Sequence, residues 1–430
     1  MNEEHYAQYM YSYPHKTAYR ALEGVDIREY LPRLAHKENS LYFHIPFCQA
    51  KCGYCNLFSV TGKGADFVDA YLDAMERQME QYDLRGYSFS DVTIGGGTPL
   101  YLEETQLERL FRMVEAVRGK QEAPVVIETS PNQTTQEKLS IVKAGGTKRI
   151  SLGIQSFKEE ELKTLYRVHS PGQARRALEC IKRQQFSCVN LDFIYGIPGQ
   201  TVQSLRETLE EGVSYEPEEL FVYPLYVKKG TLLHEKQVKR EADTRKFYDF
   251  ICEYLSKQGY VQYSLRRFVH KTYAPVTPAM ECGFGNTLSI GCGGRSYLGN
   301  LHFCTPYFVR QKECNQQLER YLATADYRNI THGIFLNEEE EKRRYIIKNI
   351  LFVSGLNREN YRENFGEAVE KEFTILNTWR EKGYLTEAGD VYKLTAEGMA
   401  LSDYLGPQLI SANVKGRMEE WENKYFTGDF

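Results

Sequence analysis

Short strand-like segments alternate with helix-like segments through the first two thirds of the chain. The strand candidates are rich in β-branched and aromatic residues, and most end in glycine, proline or serine. Amphipathic helical patterns lie between them, and parallel strands need such crossovers, so the pattern predicts successive βαβ units. The strand candidates are 41–47, 91–97, 124–130, 149–157, 189–199 and 220–227, and the helical patterns are about 66–82, 104–117, 135–143, 171–184 and 203–213.

These units predict an α/β fold in which the parallel strands curl into a partial, TIM-like (β/α)6 barrel. Right-handed crossovers favour this closure, and an open doubly wound sheet is the alternative. The polar and glycine-rich residues lie at the carboxyl ends of the predicted strands. Since (β/α) barrels carry their chemistry at that edge, the pattern also predicts where a functional site lies.

The rest of the chain predicts smaller parts around the barrel. The last quarter has two helical stretches, a hairpin pattern (YLTEAGDVYKLT) and a closing helix, an order typical of a winged-helix-like domain. Asn337 and Glu340 have the spacing of a capping box at the first of these helices. The predicted parts are an N-terminal strap at 1–38, the barrel at 39–235, an accessory segment completing the active-site cover at 236–330, and the C-terminal helical domain at 331–430.

Composition restricts the classes of function. Hydrophobic residues are 42% and charged residues 26%, the formal net charge is -4, and the pI is about 6.2. These values are ordinary for a soluble protein and argue against a nucleic-acid partner. The sequence has neither a membrane-spanning apolar run nor the apolar stretch of a secretory signal. Ten cysteines in so long a chain do not indicate a disulfide scaffold, so we expect a cytoplasmic protein.

Cys48, Cys52 and Cys55 follow the first predicted strand with C-x3-C-x2-C spacing. Thiolates are soft ligands, and three of them on one tight loop leave one position open on a metal cluster. On a [4Fe–4S] cluster, the open iron can bind a substrate or a cofactor. The alternatives are a redox pair of Cys52 and Cys55 or three packing thiols, whereas a zinc ribbon would need a second CxxC, which this sequence lacks.

Further polar groups lie at the ends of the following strands. GGGTP at 95–99 ends the second strand, where glycines let the backbone approach a ligand closely. Glu128, Gln155 and Asp192 belong to the third, fourth and fifth strands. Each by itself could be an ordinary surface or capping group. Together we expect them to converge on one rim of the barrel as a binding site.

CxxxCxxC, GGGTP, ETSP, RISLGIQSF and LDFIYGIPGQ resemble the motifs of the radical S-adenosylmethionine (SAM) enzymes. In particular they resemble the branch of oxygen-independent coproporphyrinogen III oxidase and the related haem chaperone, over about residues 10–405. The resemblance implies a [4Fe–4S] cluster whose open iron binds SAM, and reductive cleavage of SAM to a 5′-deoxyadenosyl radical that abstracts hydrogen. Since members of this branch can hold one or two SAM molecules, it also allows methyl transfer.

The resemblance implies roles for individual residues. An arginine pairs well with a carboxylate, and an acid accepts hydrogen bonds from hydroxyl or ammonium groups, so the implied roles suit the residue types. The implied cluster ligands are Cys48, Cys52 and Cys55; the residues flanking SAM are Tyr42 and Tyr54; those holding its methionine part by backbone contacts are Gly96, Gly97 and Thr98; and those binding its polar groups are Glu128, Gln155, Arg167 and Asp192.

Two features depart from the oxidase pattern. The oxidase has a fourth cysteine two residues after the third, where this chain has Leu57, which argues against coproporphyrinogen decarboxylation. The stretch 277–289 lacks the His-Asn and Tyr-Trp pattern that faces the substrate in the family, which indicates a different substrate. By contrast, YSYP at 11–14 resembles the N-terminal segment of the oxidase, with a simple structural strap as the alternative.

Four further cysteines recur at loose spacing without forming a CxxC pair. We expect core or pocket thiols, and the alternative is a second cluster. They are Cys282, Cys292, Cys304 and Cys314.

The leading hypothesis is a radical SAM enzyme, of oxidoreductase or methyltransferase type, that acts on a porphyrin-like or natural-product substrate. The expected partners are this small molecule and an electron donor such as flavodoxin or ferredoxin, with no nucleic acid and no membrane, and the chain is expected to be monomeric. The second hypothesis is a haem-binding chaperone in which the cluster and SAM serve regulation. The third is an iron–sulfur protein that never cleaves SAM. No residue is assigned to the catalytic step itself.

Overall fold

The structure of the protein is a computed structural model. Some features discussed above fall outside its described residues, namely Tyr11, Cys282 and most of the stretch 277–289. No helix among the described residues is long and apolar enough to cross a membrane. The described residues are 10, 12–35, 39–118, 123–273 and 285–427.

The chain divides into two units. The larger, here called the barrel unit, comprises Tyr19–Glu241 and Ala274–Phe335. The smaller, here called the terminal unit, comprises Met1–Ala18, Ala242–Tyr273 and Leu336–Phe430. The four-part division made from the sequence stays a prediction.

The strands and helices follow one another in the alternating order that the sequence predicts. The strands are β1 (Arg20–Ala21), β2 (Asn39–Ile45), β3 (Phe47–Cys48), β4 (Val60–Thr61), β5 (Asp91–Gly96), β6 (Val125–Thr129), β7 (Thr147–Gln155), β8 (Cys188–Tyr195), β9 (Glu219–Pro224), β10 (Tyr260–Gln262), β11 (Arg267–His270), β12 (Asn286–Ile290), β13 (Arg295–Leu298), β14 (Leu301–Cys304), β15 (His332–Phe335), β16 (Leu356–Asn357), β17 (Leu385–Ala388) and β18 (Val391–Leu394). The helices are α1 (Ala65–Tyr82), α2 (Glu104–Arg118), α3 (Gln136–Ala144), α4 (Glu159–Thr164), α5 (Pro171–Gln184), α6 (Val202–Val213), α7 (Leu232–Glu235), α8 (Thr244–Lys257), α9 (Gln311–Ala323), α10 (Glu338–Ile350), α11 (Arg358–Phe365), α12 (Val369–Glu372), α13 (Ile375–Glu381), α14 (Ala396–Ala400), α15 (Ser402–Leu405) and α16 (Ala412–Thr427).

Six parallel strands form the centre of the barrel unit, in the order β2-β5-β6-β7-β8-β9. Their spatial order equals their sequence order, so the strand order never reverses as it does in a doubly wound sheet. Each strand coincides with one of the six predicted from the sequence. The predicted α/β fold with a partial (β/α)6 barrel is therefore confirmed.

The sheet continues beyond β2. β12 pairs with β2 in parallel, and β13, β14, β15 and β1 follow as antiparallel neighbours. The sequence pattern did not predict these strands. β12, β13 and β14 follow one another closely in and just after the Gly-rich part of the sequence, and antiparallel hairpins with such short connections leave no βαβ signature.

Alternation within each strand separates the two faces of the barrel sheet. On β2, Leu41, Phe43 and Ile45 are completely buried, whereas Tyr42 between them is half-buried. The buried face packs beneath helices such as α1, whose Leu72 is also fully buried. Because successive side chains point to opposite faces, the polar residues between the apolar ones face the interior of the barrel.

The terminal unit has its own apolar core around Trp379 and a small antiparallel sheet in the order β16-β18-β17. Asn337 caps α10 through its side chain, which accepts from the Glu340 N–H at 3.0 Å. The predicted capping box is wrong in its second half. The buried Glu340 carboxylate instead accepts hydrogen bonds from Tyr13 and, at 2.6 Å, from Ser411. It therefore joins the two ends of the chain rather than closing the helix terminus.

Candidate functional site

The carboxyl ends of the parallel strands carry the residues singled out in the sequence. β2 leads into the cysteine loop, defined here as residues 48–61, and β5 ends at Gly96. Glu128, Gln155 and Asp192 lie on β6, β7 and β8. Because these five strands are adjacent and parallel, the structure brings all of these residues to one edge of the sheet.

The cysteine loop is folded by backbone contacts at its centre. The Cys55 N–H donates to the Cys52 carbonyl at 3.0 Å, which makes a tight turn. Gly53 donates to the Leu165 carbonyl at 2.9 Å and accepts from the Leu233 N–H at 2.8 Å. A Cβ at Gly53 would lie 2.8 Å from a neighbouring tyrosine ring, so glycine is required for this close approach.

Cys48, Cys52 and Cys55, here called the loop cysteines, are free thiols of intermediate exposure. Cys48 Sγ lies 3.7 Å from Thr98 Oγ1, and Arg167 donates to Cys52 Sγ at 3.1 Å. Burial raises the pKa of Cys48 to about 12, with Cys55 adding to the rise. A thiol whose pKa is raised in this way is protonated until a metal binds, and metal binding would release its proton.

No group of three His, Cys, Asp or Glu side chains converges on a single metal ion in the described ranges. A lone zinc ion would draw its sulfur ligands to about 2.3 Å. An iron–sulfur cluster instead presents several iron atoms, each of which takes its own thiolate, so its ligands stand further apart. The donor set itself, three free thiols on one loop, fits a [4Fe–4S] cluster with one iron left for another ligand.

The glycines that end β5 allow two close approaches. A Cβ at Gly95 would lie 2.7 Å from Glu128 Oε2, and a Cβ at Gly97 would lie 2.9 Å from Cys48 Sγ. Real Cβ atoms do not come so near to other atoms. Gly97 requires glycine because its Cβ would also lie 2.7 Å from the Phe47 carbonyl oxygen, whereas a Cβ at Gly95 would displace the Glu128 side chain.

The N–H groups of the GGGTP turn already have partners within the protein. Gly96 donates to Glu128 Oε2 at 3.3 Å. The N–H groups of Gly97 and Thr98 donate to carbonyl oxygens in the segment that enters the cysteine loop, each at 2.8 Å. If these three residues bind a ligand through the backbone, the remaining groups for that purpose are their carbonyl oxygens, which accept from ammonium or hydroxyl donors.

Two carboxyl groups on neighbouring parts of the barrel interior act on one another. Burial raises the pKa of Glu128 to about 7, and the Asp192 charge adds to it. Burial also raises the pKa of Asp192 to about 6, although hydrogen bonds from Asn190 and Ser151 oppose the rise. Glu128 is surrounded by protein yet open to solvent on the interior side, so water weakens its shift. A cationic ligand would stabilise both carboxylates.

A polar layer beneath these acids was missed in the sequence analysis. Arg149 on β7 reaches Glu219 on β9 with N–O distances of 2.9 and 2.8 Å, and Ser151 accepts from Asn190 at 2.7 Å. A signal was present, because β7 and β8 both place polar or glycine residues at every second position of otherwise apolar strands. In a buried parallel strand, that alternation indicates a polar interior.

Arg167 and Gln155 meet at Gly153. Arg167 donates to the Gly153 carbonyl at 2.5 Å, and a Cβ at Gly153 would lie 2.9 Å from the Gln155 side chain. Gln155 is buried and has φ 70, next to an irregularity in the β7–β8 pairing. A left-handed residue other than glycine costs about 1–3 kcal/mol, and such strain is concentrated at functional sites.

Tyr42 and Tyr54 lie at different parts of this edge. The Tyr42 hydroxyl lies 3.3 Å from His44 Nδ1 and would be 3.0 Å from a Cβ at Gly95. Tyr54 packs against an apolar cluster that includes Leu165. Burial raises the pKa of Tyr54 well above its usual range, against the nearby Arg167 charge. Each tyrosine thus lies beside other candidate site residues.

Three cysteines of the loosely spaced group lie in the described residues and are buried within the barrel unit. Cys292 donates to Thr305 Oγ1 at 3.6 Å and to a backbone carbonyl at 3.7 Å, and Cys314 donates to the Phe308 carbonyl at 3.4 Å. The charges of the other two thiols act on Cys292, so the three lie near one another. Cys292, Cys304 and Cys314 are here called the core cysteines.

Comparison with known proteins agrees with this geometry. Residues 42–212 match the radical SAM superfamily model. The haem chaperone HemW of Bacillus subtilis is 26% identical over 383 residues, which cover 85% of this chain and 97% of that protein. The oxygen-independent coproporphyrinogen III oxidase of Salmonella typhimurium is 26% identical over 434 residues, which cover 92% of each chain.

The fold has a solved counterpart. The structure of coproporphyrinogen III oxidase (HemN) from Escherichia coli, described as a radical SAM enzyme, superposes with a TM-score of 0.79 at 22% sequence identity. It covers 93% of this chain and 96% of the other. The cysteine loop and the strands that carry the acids lie within the matched residues 42–212. Residues 42–212 thus match the radical SAM superfamily, and nearly the whole chain is similar to the HemN oxidases and the HemW haem chaperones of that superfamily.

Proposed function

We propose that the protein is a radical SAM enzyme that abstracts hydrogen from an organic substrate. One observation carries this proposal. The loop cysteines, a guanidinium and two interacting carboxyl groups meet at one edge of a parallel sheet, within the residues that match the superfamily. A binding loop on one side and acids on the other suit a ligand that is both metal-bound and cationic.

The loop cysteines would hold a [4Fe–4S] cluster, and SAM would bind beside it. When bound, these cofactors supply the one-electron cleavage of SAM and the hydrogen-abstracting radical. The chain itself supplies binding, orientation and exclusion of side reactions. The free thiols, the glycine at the centre of their loop and the absence of a disulfide among them fit this role.

Individual side chains would orient SAM. Glu128 and Asp192 would accept from its ammonium or ribose hydroxyl groups, and the carbonyl oxygens of Gly96 and Gly97 would add acceptors. Arg167 would fix the relation between cluster and cofactor, since it already donates both to Cys52 and to the carboxyl end of β7. Gln155, Tyr42, Tyr54 and Thr98 would complete the surroundings.

The substrate we propose differs from coproporphyrinogen III. Leu57 stands where the oxidase has a fourth cysteine, and its side chain is 43% exposed. Leucine can neither ligate iron nor relay a proton. The neighbouring Asn56 carbonyl accepts from the Tyr307 hydroxyl at 2.6 Å, which holds this part of the loop in place. A porphyrin-like or natural-product substrate, with hydrogen abstraction or two-SAM methyl transfer, is the proposed reaction class.

An anaerobic SAM-cleavage assay tests the enzyme proposal. The cluster is reconstituted, SAM and dithionite are added, and 5′-deoxyadenosine and S-adenosylhomocysteine are followed by mass spectrometry. We expect deoxyadenosine from the wild type and none from Cys52→Ala. Formation of S-adenosylhomocysteine would support methyl transfer. A fully loaded cluster that yields neither product, with or without porphyrin-like compounds, would contradict the enzyme proposal.

A second candidate is haem binding. It is favoured by the similarity to proteins named haem chaperone HemW, which the alignment covers almost completely. Titration with haem, followed by the Soret band, separates the two candidates. A stoichiometric Soret shift without SAM cleavage would favour the chaperone, and SAM cleavage without a shift would favour the enzyme.

The enzyme proposal also includes an electron donor such as flavodoxin or ferredoxin and a monomeric chain. Replacing dithionite by a reduced flavodoxin in the same assay tests the donor. Light scattering of the reconstituted protein tests the monomer.

A further inference from the structure

Lys51 occupies an unusual position inside the cysteine loop. It directly precedes Cys52, and its ammonium group donates to three backbone carbonyls. These belong to Val309 at 2.5 Å, Leu57 at 3.2 Å and Ser59 at 3.4 Å. Two acceptors lie within the loop itself, and the third lies 258 residues further along the chain. An ammonium has three hydrogens, so these three bonds use its whole donor capacity.

The segment around Val309 is joined to the cysteine loop at two further points. The Tyr307 hydroxyl donates to the Asn56 carbonyl at 2.6 Å, and the Gln311 side chain donates to the Thr61 carbonyl at 3.1 Å. Residues 307–311, here called the clasp, thus hold the half of the loop that follows the last cysteine. Among these three contacts, the one from Lys51 is made by a charged group.

The lysine also places its charge within the cysteine loop. The Leu57 and Ser59 carbonyls, which accept from its ammonium group at 3.2 and 3.4 Å, follow Cys55 closely in the sequence. The side chain of the residue before Cys52 therefore lies against the segment after Cys55. The other cation at this loop, Arg167, contacts Cys52.

We propose that Lys51 is a positioning residue for the iron–sulfur cluster, which it serves by tying the cysteine loop to the clasp and by placing a fixed positive charge beside the cluster. This inference rests on the proposed function, because it assumes that the loop cysteines hold a cluster.

Two consequences follow from this position. Reduction by an external one-electron donor adds one negative charge to the cluster, and a nearby cation stabilises the more negative state. Cluster potentials depend on net charge, hydrogen bonding and solvent exposure. Lys51 therefore raises the reduction potential and makes the cluster easier to reduce. The tie to the clasp is a separate effect, and it already operates in the protein without a cluster.

Four variants separate the effect of the Lys51 charge from the effect of its hydrogen bond to the clasp. Lys51→Met removes both, Lys51→Arg keeps the charge, and Tyr307→Phe weakens the clasp without changing any charge. Lys63→Met removes a similarly half-buried lysine whose ammonium lies over the Phe67 ring instead, and it is the matched control. Iron and sulfide per chain, the midpoint potential by dithionite titration under EPR, and hydrogen exchange of the apoprotein are measured for each.

We expect Lys51→Met to lower the ratio of reduced to oxidised cluster about tenfold at a fixed potential, which is ~59 mV for a one-electron couple. Lys51→Arg should stay within about threefold of the wild type, because arginine keeps the charge. Tyr307→Phe should leave the potential unchanged. In the apoprotein, Lys51→Met and Tyr307→Phe should both speed amide exchange in residues 56–61 several-fold. Lys63→Met should change neither the midpoint potential nor the exchange rate.

The outcomes are distinguishable. A wild type that binds no cluster refutes the proposed function, and this inference with it. A wild type that loads normally, with Lys51→Met identical to Lys63→Met in potential and in exchange, overturns the inference alone. If Lys51→Met fails to load, its apoprotein exchange still tests the tie. The charge effect is then tested by Lys51→Gln, which removes the charge and keeps a hydrogen-bond donor. An unchanged midpoint potential in that variant would overturn the claim that the Lys51 charge raises the potential.

Discussion

The loop cysteines and the core cysteines have the same chemistry and opposite surroundings. The loop cysteines are partly exposed, lie within eight residues of sequence and have Lys51 and Arg167 beside them. The core cysteines are buried, and Cys292 and Cys314 donate to a hydroxyl and to backbone carbonyls. Burial raises the pKa of Cys292 as it does that of Cys48, so the two groups differ in access and in neighbouring cations.

The difference shows what turns a thiol into a ligand. Metal binding needs a thiolate, and a thiolate needs access and compensating positive charge. The loop provides both. The core cysteines are buried, and Cys292 and Cys314 donate to neutral acceptors, so we expect the group to behave as small apolar side chains with a weak donor. The following predictions test this comparison, from the largest expected effect to the smallest.

Cys52→Ala should abolish cluster assembly, because two thiolates on this loop cannot hold a cluster that needs three. We expect iron and sulfide per chain to fall to background, while circular dichroism remains that of the wild type. Cys314→Ala is the matched control and should load normally. Full loading of Cys52→Ala, with SAM cleavage retained, would refute the ligand assignment.

Alkylation of the apoprotein should distinguish the two groups by at least about tenfold in rate. The loop cysteines can be reached by the reagent without unfolding, whereas the core cysteines react only after local opening. Peptide-level mass spectrometry after a short iodoacetamide pulse measures each site. Equal rates for Cys55 and Cys314 would show that the comparison is mistaken.

Cys314→Ala should lower the free energy of unfolding by about 1–2 kcal/mol, since it removes a fully buried thiol and leaves a small void. Urea titration of the apoprotein measures this change. Cys180→Ala on α5, at a half-exposed position, is the control and should cost less than about 0.5 kcal/mol. A loss of cluster without any loss of stability in Cys314→Ala would instead assign the core cysteines to a metal.

The acid pair should make the apoprotein less stable as the pH rises. Both carboxyl groups have folded-state pKa values above their ordinary ones, so the folded chain binds more protons between about pH 4 and about pH 7. Stability therefore falls through that range. Glu128→Gln should reduce the fall by about 1 kcal/mol, less than the full shift implies because water reaches this side chain.

Urea midpoints at pH 5 and pH 8 measure the effect of Glu128→Gln. The exposed Glu108→Gln on α2 is the control and should keep the wild-type pH dependence. An unchanged pH dependence in Glu128→Gln would mean that folding does not raise the pKa of Glu128.

Much of the fold could be predicted because its signals are local. Each of the six parallel strands is a short apolar run between turn residues, and each helix between them has its own amphipathic period. The antiparallel extension of β12 to β15 was missed, because hairpins in a glycine-rich stretch carry little periodicity. Glu340 was misassigned for a related reason. Its spacing from Asn337 suits a capping box, but Tyr13 and Ser411, both distant in sequence, take its carboxylate.

The sequence by itself determined the alternation of elements and the spacing of the three loop cysteines, together with the motifs that resemble those of the radical SAM enzymes. Only the tertiary structure decided which cysteines lie beside a cation, that Glu128 and Asp192 share one electrostatic environment, and that Lys51 bonds to Val309. The physical reason is the distance along the chain over which each kind of signal acts. Periodicity and motif spacing act within a few residues, whereas hydrogen bonds, burial and charge depend on which distant segments the folded chain brings together.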